Sequence, residues 1–139
     1  MLPSTARATR AEVMAPDLEK VTATAPANLI YKAADPWAVE LTVRTAAGWV
    51  SWVFARSLLA DAVLADGSTF DQIGQGDVRI SAPGAHVLLE LNSPTGHAVL
   101  RLPRADVERL LDKAEQLVPE GDEVLDWDRE ITLLVGEGA

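Results

Sequence analysis

The chain has 139 residues, of which 48% are hydrophobic and four are tryptophan, so a single domain with a substantial core is expected. It contains no cysteine, which excludes disulfides and thiolate metal sites. The formal net charge is −9, and residues 104–139 carry −7 of it through eleven acids and four Lys or Arg, a surface that repels nucleic acid phosphates.

The N-terminal part gives weak signals. Residues 1–16 are rich in Ala, Thr and Arg, which is typical of a mobile tail, and residues 17–139 are expected to form the domain. Between Pro16 and Pro26 the sequence predicts a connection or a weak strand.

Two strands are clearer in the middle of the chain. Alternating apolar residues predict a half-buried strand over residues 37–45, with its inward face formed by Trp37, Val39, Leu41 and Val43. After a turn at 46–48, both faces of residues 49–55 are largely apolar, so this strand is expected to lie centrally with cover on each side. Trp52 should then be mostly buried, and Trp52→Ala should cost about 3–5 kcal/mol of stability.

The following residues predict a short helix, a loop and a meander. Ser57 can cap a helix over residues 58–64, and a glycine-rich loop is expected over 67–77. Three short strands follow at 78–81, 86–91 and 97–102, separated by Pro-Gly and Ser-Pro-Thr-Gly turns.

The hydrophobic period then changes to that of a helix. Apolar residues recur at helical spacing over 103–118, with Pro103 in the first turn and Pro119 after the end. A last helix is predicted over 127–135, with Asp126 as its N-cap. Strands followed by helices indicate an α+β fold with an antiparallel sheet.

No group of residues indicates catalysis or metal binding. The acids Asp126, Asp128 and Glu130 could form a hydrolase carboxylate pair, but acids at a helix start are typical of capping and of dipole complementation. His86 and His97 could approach each other in the meander, yet no third ligand has a telling spacing. The sequence therefore predicts no catalytic residue, no metal site and no cofactor.

The aromatic residues of the second middle strand have two interpretations. Trp52 and Phe54 could stack on unpaired bases, as in sheet-based single-strand binders. Such a platform also needs basic residues along the strand path, and Glu40 and Glu90 share the strands of the available arginines. Core packing is therefore the preferred interpretation.

Two segments carry a family resemblance. They are Tyr31-Lys-Ala-Ala-Asp-Pro-Trp-Ala-Val39 and Trp52-Val-Phe-Ala-Arg-Ser-Leu-Leu-Ala60. Together with Gly76-Asp-Val-Arg79 and Leu91-x-Ser-Pro-x-Gly-x-Ala98, they resemble the SsgA/SsgB-like proteins of sporulating actinobacteria, with the SsgB-type pattern as the best match. The resemblance covers roughly residues 28–135.

The resemblance implies a fold and a role. The fold would be a curved antiparallel sheet packed with helices, similar to Whirly domains and trimeric, with a first strand near Thr5–Met14. The role would be non-catalytic: bringing the division protein FtsZ to septum sites, alone or with an SsgA-type partner. The alternatives are a single-stranded nucleic-acid binder and, less favoured, a small hydrolase.

Two sets of residues are singled out for these roles. An architectural motif is expected from Asp35, Pro36, Trp37, Trp52, Phe54 and Arg56, in which Arg56 ends a strand and reaches a carboxylate or exposed carbonyls. Loops and patches of one charge sign serve recognition, so partner contacts are assigned to the 67–77 loop and the acidic C-terminal region, through Phe70, Asp71, Gln75, Glu120, Asp122 and Glu123.

The sequence also predicts a location. Residues 1–17 lack the apolar stretch of a signal peptide, and no run approaches the roughly 18 apolar residues of a membrane helix. A cytoplasmic protein recruited to division septa, without membrane insertion, is expected.

Overall fold

The fold is an antiparallel sheet with two helices in the part of the chain that the computed structural model describes, residues 2–65, 68–73, 76–94, 96–119 and 121–122. Neighbouring strands pair in the order β4-β3-β2-β1-β8-β7-β6-β5. The α+β class and the curved antiparallel sheet expected from the sequence are confirmed. The elements are β1 (Ser4–Met14), β2 (Val21–Lys32), β3 (Ala38–Thr45), β4 (Gly48–Ala55), α1 (Arg56–Ala65), β5 (Ser68–Ile73), β6 (Gly76–Ser81), β7 (His86–Ser93), β8 (Gly96–Pro103) and α2 (Arg104–Leu117).

The sheet consists of two meanders that a short ladder joins. Strands β1 and β8 pair only through Glu12 with Arg101 and Val13 with Leu100. The Arg101 side chain donates a hydrogen bond of 3.0 Å to Glu12, and this bond lowers the pKa of that carboxyl. Strands β4 and β5, at opposite ends of the strand order, contact each other, so the sheet curls around its core.

Both meanders and both helices bury side chains in one hydrophobic cluster. The sheet contributes large, fully buried side chains that include Tyr31, Leu29, Leu41, Ile80, Leu89 and Leu102. Helix α1 adds Leu59 and Ala62, and α2 adds Val107 and Leu110. Burial of each such leucine or isoleucine side chain favours folding by about 1.5–3 kcal/mol. Helix α2 contacts β1 and β2, and its apolar stripe holds it on these strands.

The tail interpretation of residues 1–16 is wrong, and the first strand implied by the resemblance is present. Strand β1 pairs with β2 along nearly its whole length, from Ser4 opposite Lys32 to Met14 opposite Val21. Strand β2 is also longer than predicted. Pro26, which has no N–H to donate, is tolerated because the β2–β3 ladder begins only at Ala27.

The loop prediction for residues 67–77 is also wrong. Residues 68–73 and 76–81 pair as a hairpin, from Ser68 opposite Ser81 to Ile73 opposite Gly76. Backbone pairing supplies the strand here, and the polar, glycine-containing composition concealed it.

Strand β4 is not central as predicted but stands at an end of the described strand order. Phe54 is buried, but Trp52 is only half-buried, and Trp49 and Val53 are 51% and 45% exposed. Trp37, which precedes β3, is 45% exposed as well, so it does not join the buried face formed by Val39, Leu41 and Val43. The described residues therefore do not cover β4 on both faces, although both faces are apolar.

The helices begin close to their predicted positions. Helix α1 starts at Arg56, directly after β4, and α2 starts at Arg104 with Pro103 as its N-cap. No helix in the described part of the chain is long and apolar enough to cross a membrane. The predicted helix over 127–135 lies outside the described residues.

Candidate functional site

The first motif segment forms a tight turn between β2 and β3. The Asp35 N–H donates to the Lys32 carbonyl at 3.0 Å, and the Ala38 N–H donates to the Asp35 carbonyl at 3.3 Å. Pro36 is buried, and its carbonyl accepts a 3.0 Å hydrogen bond from the Tyr31 hydroxyl. Buried Tyr31 thus anchors the turn to the core, which leaves Asp35 and Trp37 at the surface.

The second motif segment supplies Arg56, which is only 3% exposed. Its guanidinium donates to the Val118 carbonyl at 2.7 Å, to the Glu115 carboxylate at 2.8 Å and to the Tyr31 hydroxyl at 3.1 Å. A carboxylate and a carbonyl are thus both among its partners. A buried cation is tolerated only when hydrogen-bonded and paired in this way.

Arg56 therefore joins three separate parts of the fold. Its N–H donates to the Trp37 carbonyl at 2.7 Å, and its guanidinium lies 5.1 Å from the centre of the Tyr31 ring. Through Val118 and Glu115 it also holds the end of α2. The two segments that carry the resemblance meet at Arg56. Its guanidinium pairs with Glu115 and donates to the Val118 carbonyl, so the charge serves to hold the fold together.

A groove of about 590 Å³ lies between the two helices, beside Arg56. The lining residues recur every three or four positions along each helix, so they lie on the face that each helix turns toward the other. They are Arg56, Ala60, Val63 and Leu64 of α1, and Arg104, Glu108, Leu111, Asp112 and Glu115 of α2.

Arg104 closes one end of this α1–α2 groove. It donates to the Val63 carbonyl at 2.7 Å and to the Ala82 and Gly84 carbonyls at 3.1 and 3.2 Å. It also pairs with Glu108 at 2.9 Å. Arg104 and Arg56 are both fixed by carbonyls, so the groove has a rigid cation near each end.

The other long side of α2 faces β1 and carries a further ion pair, between Arg7 and Asp106. Asp106 accepts hydrogen bonds from Arg7 at 2.9 Å and from Thr9 at 2.7 Å. Partial burial raises the pKa of Asp106, but the hydrogen bonds from Thr9 and Arg7 and the charges of Arg7 and Arg109 outweigh it, so the pKa is lowered from 3.8. These contacts fix the start of α2 on the first strand.

An apolar surface lies along β4, at one end of the described strand order. We define the β4 surface by Trp49 and Val53, which share one face of the strand and are 51% and 45% exposed. The Arg44 guanidinium lies 5.9 Å from the centre of the Trp49 ring, which covers part of the indole. Exposed apolar residues at a strand edge are typical of association surfaces.

The residues assigned to partner contacts are only partly visible. Asp122 is exposed at the surface. Phe70 and Asp71 lie in β5, of which only the backbone is described, and Gln75, Glu120 and Glu123 lie outside the described residues. Those five side chains have no structural assignment, and the assignment of all six stays a prediction.

Two weaker site hypotheses remain, a metal site at the two histidines and a carboxylate pair among the C-terminal acids. The β7–β8 register places His86 opposite Pro103 and His97 opposite Asn92, so the histidines lie at opposite ends of the hairpin. No group of three possible metal ligands occurs among the described residues. The acids Asp126, Asp128 and Glu130 lie outside those residues.

The α1–α2 groove was missed in the sequence. The available signal was the run of acids on α2 at 108, 112 and 115, which repeats at helical spacing beside Leu111. Leu64 was a second signal, since it lies outside the apolar stripe that Leu59, Ala62 and Val63 form on α1. In the structure it is 79% exposed.

Comparison with known proteins gives consistent matches. Residues 25–123 match the sequence model of a family described as Streptomyces sporulation and cell division protein, SsgA. The sporulation-specific cell division protein SsgB of Frankia casuarinae is 38% identical over 119 residues, which cover 81% of this chain and 79% of that protein. SsgB of Streptomyces coelicolor is also 38% identical over 119 residues, covering 81% and 82%. SsgB of Saccharopolyspora erythraea is 42% identical over 103 residues, covering 70% and 68%.

Solved structures match over most of their length. One solved structure has a TM-score of 0.72 and 33% identity, and the match covers 88% of this chain and 93% of that one. It is described by the words "Mutations in SsgB correlate to longitudinal cell division during sporulation of Streptomyces coelicolor". An SsgA-like sporulation-specific cell division protein from Thermobifida fusca has a TM-score of 0.74 and 27% identity, covering 94% of both chains.

Proposed function

The chain belongs to the SsgA family of sporulation and cell division proteins, and we propose that it is a non-catalytic division protein that recruits FtsZ to septum sites. The observation that carries this proposal is the family match over residues 25–123. That range contains the turn at Asp35–Trp37, Arg56 and the helix end that Arg56 holds. Relatives named SsgB, similar over most of this chain, support a role in sporulation-specific division.

The contacts of the motif residues support a binding role over catalysis. Arg56 is buried and engaged by Val118, Glu115 and Tyr31, so its charge organises the fold. We therefore propose that the motif shapes a scaffold whose surfaces bind other proteins, with no cofactor.

The acidic end of the chain is our proposed contact region for FtsZ or for an SsgA-type partner. Asp122 is exposed just after α2, and Glu120 and Glu123 adjoin it in sequence. Residues Phe70, Asp71 and Gln75 are proposed as the second contact. Clustered charge of one sign gives steering and specificity to such a surface.

The test is co-sedimentation with assembled FtsZ from the same organism. The purified protein should pellet with FtsZ, and charge reversal at Glu120, Asp122 and Glu123 should release it. Reversal at Asp17, Glu19 and Glu40, which are not assigned to the contact, is the matched control for the change in net charge. If neither FtsZ nor an SsgA-type partner retains the protein, the recruitment proposal is wrong.

We also propose that the protein assembles as a closed homotrimer. The support is the β4 surface, since exposed apolar residues on an end strand favour association between copies. Light scattering at micromolar concentration should give three times the 14.9 kDa monomer mass. A monomer mass would contradict the proposal.

The nucleic-acid alternative is tested in the same preparation. Trp49 is exposed and Arg44 lies against it, the kind of pair that can stack on a base. The net charge of −9 opposes an approach by phosphates, so we expect no binding to a short single-stranded oligonucleotide. Salt-dependent oligonucleotide binding without FtsZ binding would favour the alternative.

A further inference from the structure

The α2 side of the α1–α2 groove carries a row of acidic residues. Asp112 lies four residues after Glu108 and three before Glu115, so three carboxylates share one face of α2. Like charges at these spacings destabilise a helix by a few tenths of a kcal/mol per pair. How much of this repulsion remains depends on which of the three carboxylates are paired with cations.

The charge of this face is only partly neutralised. Glu108 pairs with Arg104, and Glu115 pairs with Arg56. Asp112, between them, makes no hydrogen bond or ion pair with any side chain in the described ranges. The two arginines are held by carbonyls at their own ends of the groove, so neither turns toward Asp112.

One exposed apolar residue, Leu64, lies on the α1 side of the groove. Leu64 of α1 is 79% exposed, the largest fraction among the exposed large hydrophobic residues in the described part of the chain. Leu111, on the α2 side, is half-buried and packs against the core. An exposed leucine that lines a groove beside a few charged groups offers an apolar contact for a partner side chain.

We propose that the α1–α2 groove binds a short segment of a partner protein in which a Lys or Arg follows an apolar residue at helical spacing. The apolar residue packs on Leu64 and Leu111, and the cation pairs with Asp112 and relieves the repulsion along α2. The groove volume of about 590 Å³ suits a few side chains on one face of a helix. This surface differs from the one assigned to FtsZ, so neither proposal depends on the other.

The probe is a labelled peptide of about 14 residues, roughly four helical turns, with Leu and Lys at helical spacing. Its affinity for the full chain is measured by fluorescence anisotropy at two salt concentrations. A second peptide carries Glu in place of every Lys. We expect binding of the Lys peptide only, weakening as salt rises.

Two variants and two matched controls locate the binding site. Asp112→Lys and Leu64→Glu should each weaken binding about tenfold or more, the effect of losing one interface anchor. Glu19→Lys changes net charge as much as Asp112→Lys does, and Leu18→Glu places the same new acid at another exposed leucine; both should stay within about twofold. Equal weakening by a variant and its control would overturn the proposal, because binding would then follow net charge.

Two further measurements address other occupants of the groove. Leu64→Glu should leave the unfolding midpoint unchanged, because the side chain is exposed; a marked loss of stability would mean that the chain itself covers the groove, against the proposal. Sedimentation should show that Leu64→Glu does not alter self-association. If it abolishes self-association, a second copy fills the groove and the proposal is wrong.

Discussion

Removal of Arg56 should destabilise the fold more than any other single loss of charge in the described part of the chain. Arg56→Ala removes the hydrogen bonds that the guanidinium donates to the Val118 carbonyl and the Tyr31 hydroxyl. Each hydrogen bond to a charged group contributes about 1.5–3 kcal/mol, and the lost contact with the Tyr31 ring adds about 0.5–2 kcal/mol. The Glu115 pair adds little because that side chain is 53% exposed. Because contributions within one network are not additive, we expect a total loss of about 3–5 kcal/mol, the range for removing one partner of a buried ion pair.

Urea unfolding followed by tryptophan fluorescence measures this loss. Since a domain of this size has a total stability of about 5–15 kcal/mol, the midpoint should fall sharply. Glu115→Gln removes only the exposed partner and should cost less than about 1 kcal/mol. Arg56→Lys should recover part of the stability but not the fork of contacts. A loss below about 0.5 kcal/mol for Arg56→Ala would refute the role of Arg56 as the joint between the two motif segments.

Three further predictions concern stability. Asp106→Asn should cost about 1–3 kcal/mol of stability near pH 7. Because folding lowers the pKa of Asp106 below 3.8, the difference in unfolding free energy between wild type and variant should shrink as the pH falls through the folded pKa. A difference that stays constant with pH would contradict this prediction. Trp52→Ala should cost about 1–3 kcal/mol, less than the roughly 3–5 kcal/mol of Phe54→Ala, and calorimetry giving the reverse order would show Trp52 to be the better packed side chain. Gly48→Ala should cost about 1–3 kcal/mol because Gly48 has a φ of 110°, while Gly96→Ala, at an open position without positive φ, should be nearly neutral in the same melts.

Local patterns predicted the middle of the fold well. The alternation in residues 37–45 and the helical period in 103–118 each describe an element that packs one face on the core, and both elements are present. Strand β1 has weak alternation because much of its inward face is polar. Thr9 and Arg7 face α2 and bond Asp106, a contact across 97 and 99 residues that no local pattern contains.

The exposed sites were harder to predict for a related reason. An apolar residue looks the same in sequence whether it enters the core, as Phe54 does, or stays in water, as Trp49 and Leu64 do. The position of β4 at an end of the strand order decides between the two outcomes, and that position depends on long-range pairing. The contacts of Arg56 were foreseen in kind, because a cation ending an apolar strand must find oxygen partners.

The recruitment of FtsZ is tested most directly by imaging fluorescent FtsZ in sporulating cells of the host organism, with the gene for this protein present or deleted. The proposed function predicts that the protein reaches future septum sites before FtsZ, and that FtsZ rings fail to form at those sites in its absence. Regular FtsZ rings at normal spacing in the deletion strain would contradict it.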